Sequence, residues 1–328
     1  MLKKLYVELS SSCNLNCKMC FRNQWFDEKT GLMSDITVNN LKKIIKTGSF
    51  DTVFFGGMGE PLIHPRLSEM INFSYLCGKQ TELITNGTLL DGKMSEKLEK
   101  SGLNRLWISM DGFSKSSYEA IRRGSIYELI TENIAAFNAA RSKIILGISF
   151  VIMKENEYEL KNINSFADRI GADIINLSHV IPEAPIEEKD VIYNKSYPVG
   201  KMTRFASDGK KKLRDVCPFI DEGACFVRWD GKVAPCMQLL HNSYTYLYTE
   251  KRKIYFQSYG SINEKNLADI WNDDEYTDFR KRVAKFEFPC CTVCLGCDDR
   301  LENKTDCMYN KSPTCGACLW SQGLIRCP

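Results

Sequence analysis

Cys13, Cys17 and Cys20 stand in the spacing CxxxCxxC directly after the apolar run Leu5 to Leu9. An iron–sulfur cube is ordinarily held by four cysteine thiolates, so a tight trio is one short. The next cysteine in the chain is the distant Cys77. The spacing therefore predicts a cluster with one iron left open, and an open position is how a metal site keeps room for a reactant. A zinc or purely structural iron–sulfur site is the alternative. It would want a fourth ligand nearby, and the early candidates are Cys77 and His64.

The remaining cysteines are as informative in their placement. The chain carries 15, of which Cys217, Cys225, Cys236, Cys290, Cys291, Cys294, Cys297, Cys307, Cys315, Cys318 and Cys327 fall in the last third. Patterned cysteines in a reducing compartment bind metal or do chemistry more often than they form disulfides, so two separate metal regions are predicted. Overlapping CxxC pairs at Cys291, Cys294 and Cys297 also suit tetrahedral zinc. Among the three histidines, His179 follows a strand pattern and is a weak candidate for general acid/base work or hydrogen bonding to a substrate; a structural role is the alternative. His64 reads as a loop residue and Cys77 as a buried apolar one. Arg122 and Arg123 could meet a carboxylate or phosphate, or simply end a helix at the surface.

The elements that must position these groups are short β-rich runs alternating with stretches of helical period. Strand patterns fall at Leu5 to Leu9, Thr52 to Phe55, Thr81 to Thr85, Arg105 to Ser109, Lys143 to Val151 and Asp173 to Leu177. Ser34 or Asp35 could cap a helix burying Val38, Leu41, Ile44 and Ile45; a second spans Glu157 to Ile170. Six βα units are too few to close an eight-stranded barrel, so the expected fold is α/β, a partial (β/α)6 barrel with its site at the C-terminal strand ends. Those ends carry Gly56-Gly57-Met58-Gly59-Glu60-Pro61, Thr85-Asn86-Gly87 and Ser109-Met110-Asp111-Gly112. From Pro182 to about Asp215 the periodicity fades into a connector, dividing the chain near residue 200 into a barrel (1–200) and a cysteine-rich domain (201–328) with one helix-like stretch, Asn266 to Phe286.

A near-balanced charge of +3 from 44 basic and 41 acidic residues predicts no nucleic-acid partner. No window reaches the roughly 18 apolar residues of a spanning helix, and the N-terminus lacks a signal-peptide core. A cytoplasmic protein without a membrane partner is the expectation.

The CxxxCxxC loop after the first strand, the Gly-Gly-Met-Gly-Glu run after the second and the polar end of the fourth resemble the radical SAM superfamily over roughly the first 180 residues. The resemblance implies that Cys13, Cys17 and Cys20 hold a 4Fe-4S cluster whose open iron chelates S-adenosylmethionine. It also implies that Gly57 and Glu60 hold the methionine amino group, that Ser109 and Asp111, with Asn86 nearby, meet the ribose, and that Met19 packs by the adenine. GxxxxC at Gly231 to Cys236 and the later CxxC pairs resemble a SPASM extension with two auxiliary 4Fe-4S clusters. That likeness implies an inner cluster on Cys217, Cys225, Cys236 and Cys318, and an outer one on a pair from Cys291, Cys294 and Cys297 together with Cys315 and Cys327. Cys290 and Cys307 are left over. The segment Leu301 to Pro328 resembles the maturases associated with tungsten-containing aldehyde oxidoreductases, implying a protein, peptide or tungstopterin-related substrate and reduced ferredoxin or flavodoxin as electron donor. Crosslinking or epimerisation of a ribosomally made peptide is the alternative activity, and a non-catalytic electron carrier is the alternative class.

Overall fold

The computed structural model describes residues 1–180, 185, 203–204, 217–294 and 296–321. Its frame is one sheet in which six parallel strands run in chain order: β1 (Lys4–Val7), β2 (Thr52–Phe55), β3 (Gln80–Thr85), β4 (Arg105–Ser109), β5 (Ile145–Ile152) and β6 (Ile174–His179). Helices α1 (Asp35–Thr47), α2 (Leu67–Leu76), α3 (Gly92–Lys100), α4 (Lys115–Ile121), α5 (Tyr127–Ala140) and α6 (Ile163–Arg169) fill the crossovers, giving the expected partial barrel. All six strands fall where the sequence places them, β2 and β4 with the same ends and the others with ends shifted by at most two residues.

Alternation along β1 shows how the sheet divides its two faces. Leu5 and Val7 are fully buried in the helix-side core, whereas Lys4 and Tyr6 line an interior cavity. α1 begins where Ser34 accepts a hydrogen bond from the Thr37 amide, and it buries Val38, Leu41, Ile44 and Ile45. Capping removes one orphan N–H and is worth about 1 kcal/mol.

The sheet does not stop at the expected boundary near residue 200. At one edge β7 (Thr203–Arg204) pairs with β6. At the other β8 (Ala224–Val227) pairs with β1 in parallel and β9 (Val233–Ala234) follows it antiparallel, so the cysteine-rich region contributes strands to the barrel's own sheet. Tyr6 and Phe226 stack across that junction at 4.4 Å between centroids. The rest of the region comprises a short α7 (Pro218–Asp221), a hairpin of β10 (Ser243–Leu247) and β11 (Glu250–Ile254), α8 (Leu267–Asn272) and α9 (Asp274–Ala284).

Two helical expectations need correction. Asn266 to Phe286 is two helices, because Asp273 leaves the helical region and its side chain caps α9 by accepting from the Glu275 amide. Glu157 to Ile170 opens as a 3-10 turn, Glu157–Asn162, before becoming α6. Most of the connector expected from Pro182 to Asp215 lies outside the described residues.

Candidate active site

The interior cavity, about 260 Å³, opens among the strand ends. Cys17, Met19, Cys20 and Phe21 from the first loop, Gly57 and Met58 from the second, Ser109 at the end of β4, Arg122, and Ser178 and His179 at the end of β6 all border it. The structure thus brings six of the expected site residues to one space: Cys17, Cys20, Met19, Gly57, Ser109 and His179. Cys13 belongs to the same loop and lies close enough to Cys17 to raise its thiol pKa.

Hydrogen bonds to the neighbouring loops fix the triplet. Lys18 and Asn16 donate their amides to the carbonyls of Ile121 and Arg123, and the Cys20 amide reaches the Cys17 carbonyl at 3.2 Å. The Glu60 amide donates to the Ser12 carbonyl at 2.8 Å, joining the loops after β1 and β2. Gly57 must be glycine for contact reasons, since a Cβ there would sit 2.6 Å from the Cγ of Glu8.

Glu60, Asp111 and Asn86 are each engaged by protein partners. Glu60 does not border the cavity; it is 2 % exposed, and its carboxylate accepts from the Leu62 amide, the Thr85 hydroxyl and the Asn86 amide at 3.0, 2.7 and 2.8 Å. Burial raises its pKa and these donors oppose the rise, so Glu60 braces the second and third strand ends. Asp111 is fully buried, one oxygen accepting from the Val151 amide at 2.7 Å and the other from Arg122. It aims the guanidinium, and Arg122 borders the cavity instead. Asn86 turns its amide toward the triplet, donating to Cys13 Sγ at 3.7 Å and to Asn14 Oδ1 at 3.0 Å.

Arg122, read from the sequence as meeting a carboxylate or phosphate or as ending a helix, is a cation of the cavity wall. It is buried, paired with Asp111 at 2.6 Å, and its charge lowers the Cys17 pKa against the larger effect of burial. His179 is 3 % exposed, and burial pushes its pKa down to about 4. It is a neutral imidazole at pH 7, suited to hydrogen bonding or proton acceptance rather than to carrying charge. The cavity floor was not foreseen: Glu82 accepts from Arg105 at 3.0 Å and from Trp107 Nε1 at 3.2 Å, with the Lys4 ammonium 3.6 Å away. Alternation in β1, β3 and β4 carries the signal for these residues, but only once the inward face is known. His64 stands in the expected loop, buried with Nε2 3.0 Å from the Met33 carbonyl, and Cys77 is partly buried against the core at the end of α2.

In the cysteine-rich region the thiols neighbour one another in groups other than the expected sets. Burial raises the pKa values of Cys217, Cys236 and Cys315, and the nearby Cys318 adds to the rise in each. Cys225 is not among them. In β8 it pairs opposite Leu5, and strand alternation turns it to the helix side, toward Tyr276 and Arg280 of α9. Cys315, expected in the outer set, joins the inner one. Cys291 has Cys294 and Cys307 beside it. Cys290 is exposed, Cys297 precedes a 3-10 turn, and Cys327 lies outside the described residues.

The two groups abut. The Cys291 amide donates to the Gly316 carbonyl at 2.8 Å, and a Cβ on Gly316 would meet Cys291 Sγ at 2.8 Å. Arg252 is buried beside both, donating to the carbonyls of Arg300 and Ala317. Burial brings its pKa down to about 10, and Cys318, Cys291 and Cys315 oppose that fall. Buried thiols that repel one another in this way suit multivalent cationic iron, which binds them as thiolates. Met237 and Trp320, next to inner-set residues, form part of the cavity wall, and Trp320 meets Phe21 edge-on at 6.4 Å.

Comparison with known proteins agrees with this geometry. Residues 7–167 match the model of the radical SAM superfamily, and residues 217–298 match an iron–sulfur cluster-binding domain, SPASM. The chain is 31% identical, over all of its length and 97% of the relative's, to a tungsten-containing aldehyde ferredoxin oxidoreductase cofactor-modifying protein from Pyrococcus furiosus. Among solved structures, anSMEcpe with bound AdoMet aligns with TM-score 0.61 at 17% identity, covering 85% of this chain and 83% of that one. SuiB from Streptococcus suis bound to S-adenosylmethionine aligns with TM-score 0.64 at 16% identity, covering 85% and 68%. Among the described residues no helix is long and apolar enough to cross a membrane. The chain is a radical SAM enzyme with a SPASM extension, a member of the family that includes the Pyrococcus furiosus cofactor-modifying protein.

Proposed function

We propose that this enzyme matures a tungsten-containing oxidoreductase by acting on its pterin-type cofactor or on the protein that carries it. The observation that carries the reading is the full-length similarity to the Pyrococcus furiosus protein of that description. Cys13, Cys17 and Cys20 would hold the 4Fe-4S cluster, with the Asn86 amide supporting Cys13. When bound, the reduced cluster and S-adenosylmethionine together supply a 5′-deoxyadenosyl radical able to take a hydrogen atom from a substrate.

The chain's own residues do the positioning. Gly57 and Met58 offer backbone to the methionine amine, and Arg122, aimed by Asp111, offers a cation to its carboxylate. Ser109 serves the ribose and Met19 the adenine. His179, Ser178 and Asn176 on β6 and Trp107 on β4 face the remaining space and would orient the substrate. The aromatic walls Tyr6, Phe54 and Trp107 exclude water from it. The auxiliary clusters would stand on Cys217, Cys236, Cys315 and Cys318, and on Cys291, Cys294 and Cys307, fed by a reduced ferredoxin or flavodoxin.

Anaerobically reconstituted enzyme with dithionite and S-adenosylmethionine should release 5′-deoxyadenosine, faster when the tungsten oxidoreductase or its cofactor is added. No 5′-deoxyadenosine would refute radical chemistry. Stimulation only by a ribosomally made precursor peptide would replace this substrate with the peptide alternative.

A further inference from the structure

Four ionisable groups meet in a buried line between the barrel and the cysteine-rich region. Glu8, directly after β1, is 1 % exposed; its Oε1 accepts from the Met58 amide at 3.0 Å, and both its oxygens lie 3.0 Å from His241 Nε2. The other ring nitrogen of His241 is 3.2 Å from Glu28, which also accepts from the Asn242 amide at 2.7 Å. Arg228 pairs with Glu28 at 3.0 Å and with the more exposed Asp230 at 3.5 Å. Trp25 stacks on the imidazole at 4.1 Å and closes the line off.

Arg228 answers Glu28 and Asp230, while the imidazole lies between Glu8 and Glu28, so a proton on His241 faces a carboxylate at each ring nitrogen. Burial works against that charge, but Glu8 and Glu28 outweigh it and raise the imidazole pKa.

We propose that Glu8 and His241 are positioning residues for S-adenosylmethionine: they tie the Gly57–Met58 peptide to the cysteine-rich region, and a proton on His241 keeps it in place. The inference rests on the reading that this peptide receives the methionine amine. Glu8 touches the peptide twice, through the Met58 amide and through the van der Waals contact that requires glycine at position 57. Loss of the proton leaves two carboxylates facing across a neutral ring, and Glu8 is then free to turn from Met58.

The groups that face His241 are Glu8, Glu28 and, more distantly, Arg228. Because its folded pKa is raised, the stabilisation is complete below the ordinary histidine value, about 6.5, and is lost as pH rises through the higher folded value. The test is the dissociation constant of S-adenosylmethionine, measured anaerobically on fully iron-loaded enzyme from about pH 6 to about pH 9. Wild type should bind more weakly as pH rises. His241→Gln and Glu8→Gln should bind about tenfold more weakly at low pH, with iron content unchanged and the protein's contribution to the pH dependence removed. Glu28→Gln leaves Glu8 on Met58 and should move the midpoint of the wild-type profile to lower pH. The substrate's own amine titrates alike in every variant, so differences belong to the protein.

Wild-type affinity in both His241→Gln and Glu8→Gln would overturn the proposal, as would an unmoved midpoint in Glu28→Gln. A loss of affinity with the wild-type pH profile intact would also overturn it, since that is what damage to the structure alone would do. Wild type that binds no S-adenosylmethionine would instead refute the functional reading beneath it.

Discussion

Cys13, Cys17 and Cys20 occupy one short loop, whereas Cys217 and Cys236 from the start of the cysteine-rich region come together with Cys315 and Cys318 from near its end. In the first group the spacing is itself the geometry, because a loop that brief can only gather its own side chains. In the second, strand direction and loop packing decide. Cys225 lies within a few residues of Cys217, yet alternation in β8 turns it to Tyr276 and Arg280. Cysteine spacing is therefore a reliable guide to a ligand set only where no regular element intervenes between the cysteines.

The sharpest break between the two regions comes from Cys17→Ala. S-adenosylmethionine cleavage should vanish while roughly two-thirds of the iron remains, because the cysteine-rich region assembles its own sets; retained cleavage would mean the wrong trio carries the reaction. Asp111→Asn should come next. It leaves the buried Arg122 without its partner at a cost of about 3–5 kcal/mol, measurable as a lowered unfolding midpoint together with weakened S-adenosylmethionine binding. Unchanged binding would remove Arg122 from the site.

Within the second region, Cys315→Ala and Cys225→Ala form a contrasting pair. The first should lose roughly a third of the iron. The second should keep it all and lose about 1 kcal/mol of stability from the small void left beside α9. The reverse pattern in iron analysis would restore Cys225 to the inner set. The smallest effect is expected from Arg252→Met, which removes a buried positive charge next to both thiol groups. Reduction potentials of the auxiliary clusters should fall, as read by potentiometric EPR titration, while that of the N-terminal cluster stays put.

The barrel was largely legible from sequence, since period-2 runs and their flanking helices report directly on a parallel sheet. That Cys17, Met19, Cys20, Gly57, Ser109 and His179 would border one space was legible as well, because strand ends in such a barrel converge. The surroundings of Glu60 and Asp111 were not legible, because a carboxylate in a site motif does not name its protein partners. Each proves to be saturated by protein donors, and only the three-dimensional neighbours Thr85, Val151 and Arg122 reveal it. The line through Glu8 and His241 was invisible, since its members are far apart in sequence and meet only where β8 adds to β1.

Low-temperature EPR of the reduced enzyme, recorded with and without S-adenosylmethionine, tests the central claim most directly. The account requires that one iron–sulfur signal change on addition, that it be the one missing in Cys17→Ala, and that the auxiliary signals stay as they were. A spectrum unaltered by S-adenosylmethionine, or altered only in signals that survive in Cys17→Ala, would contradict it.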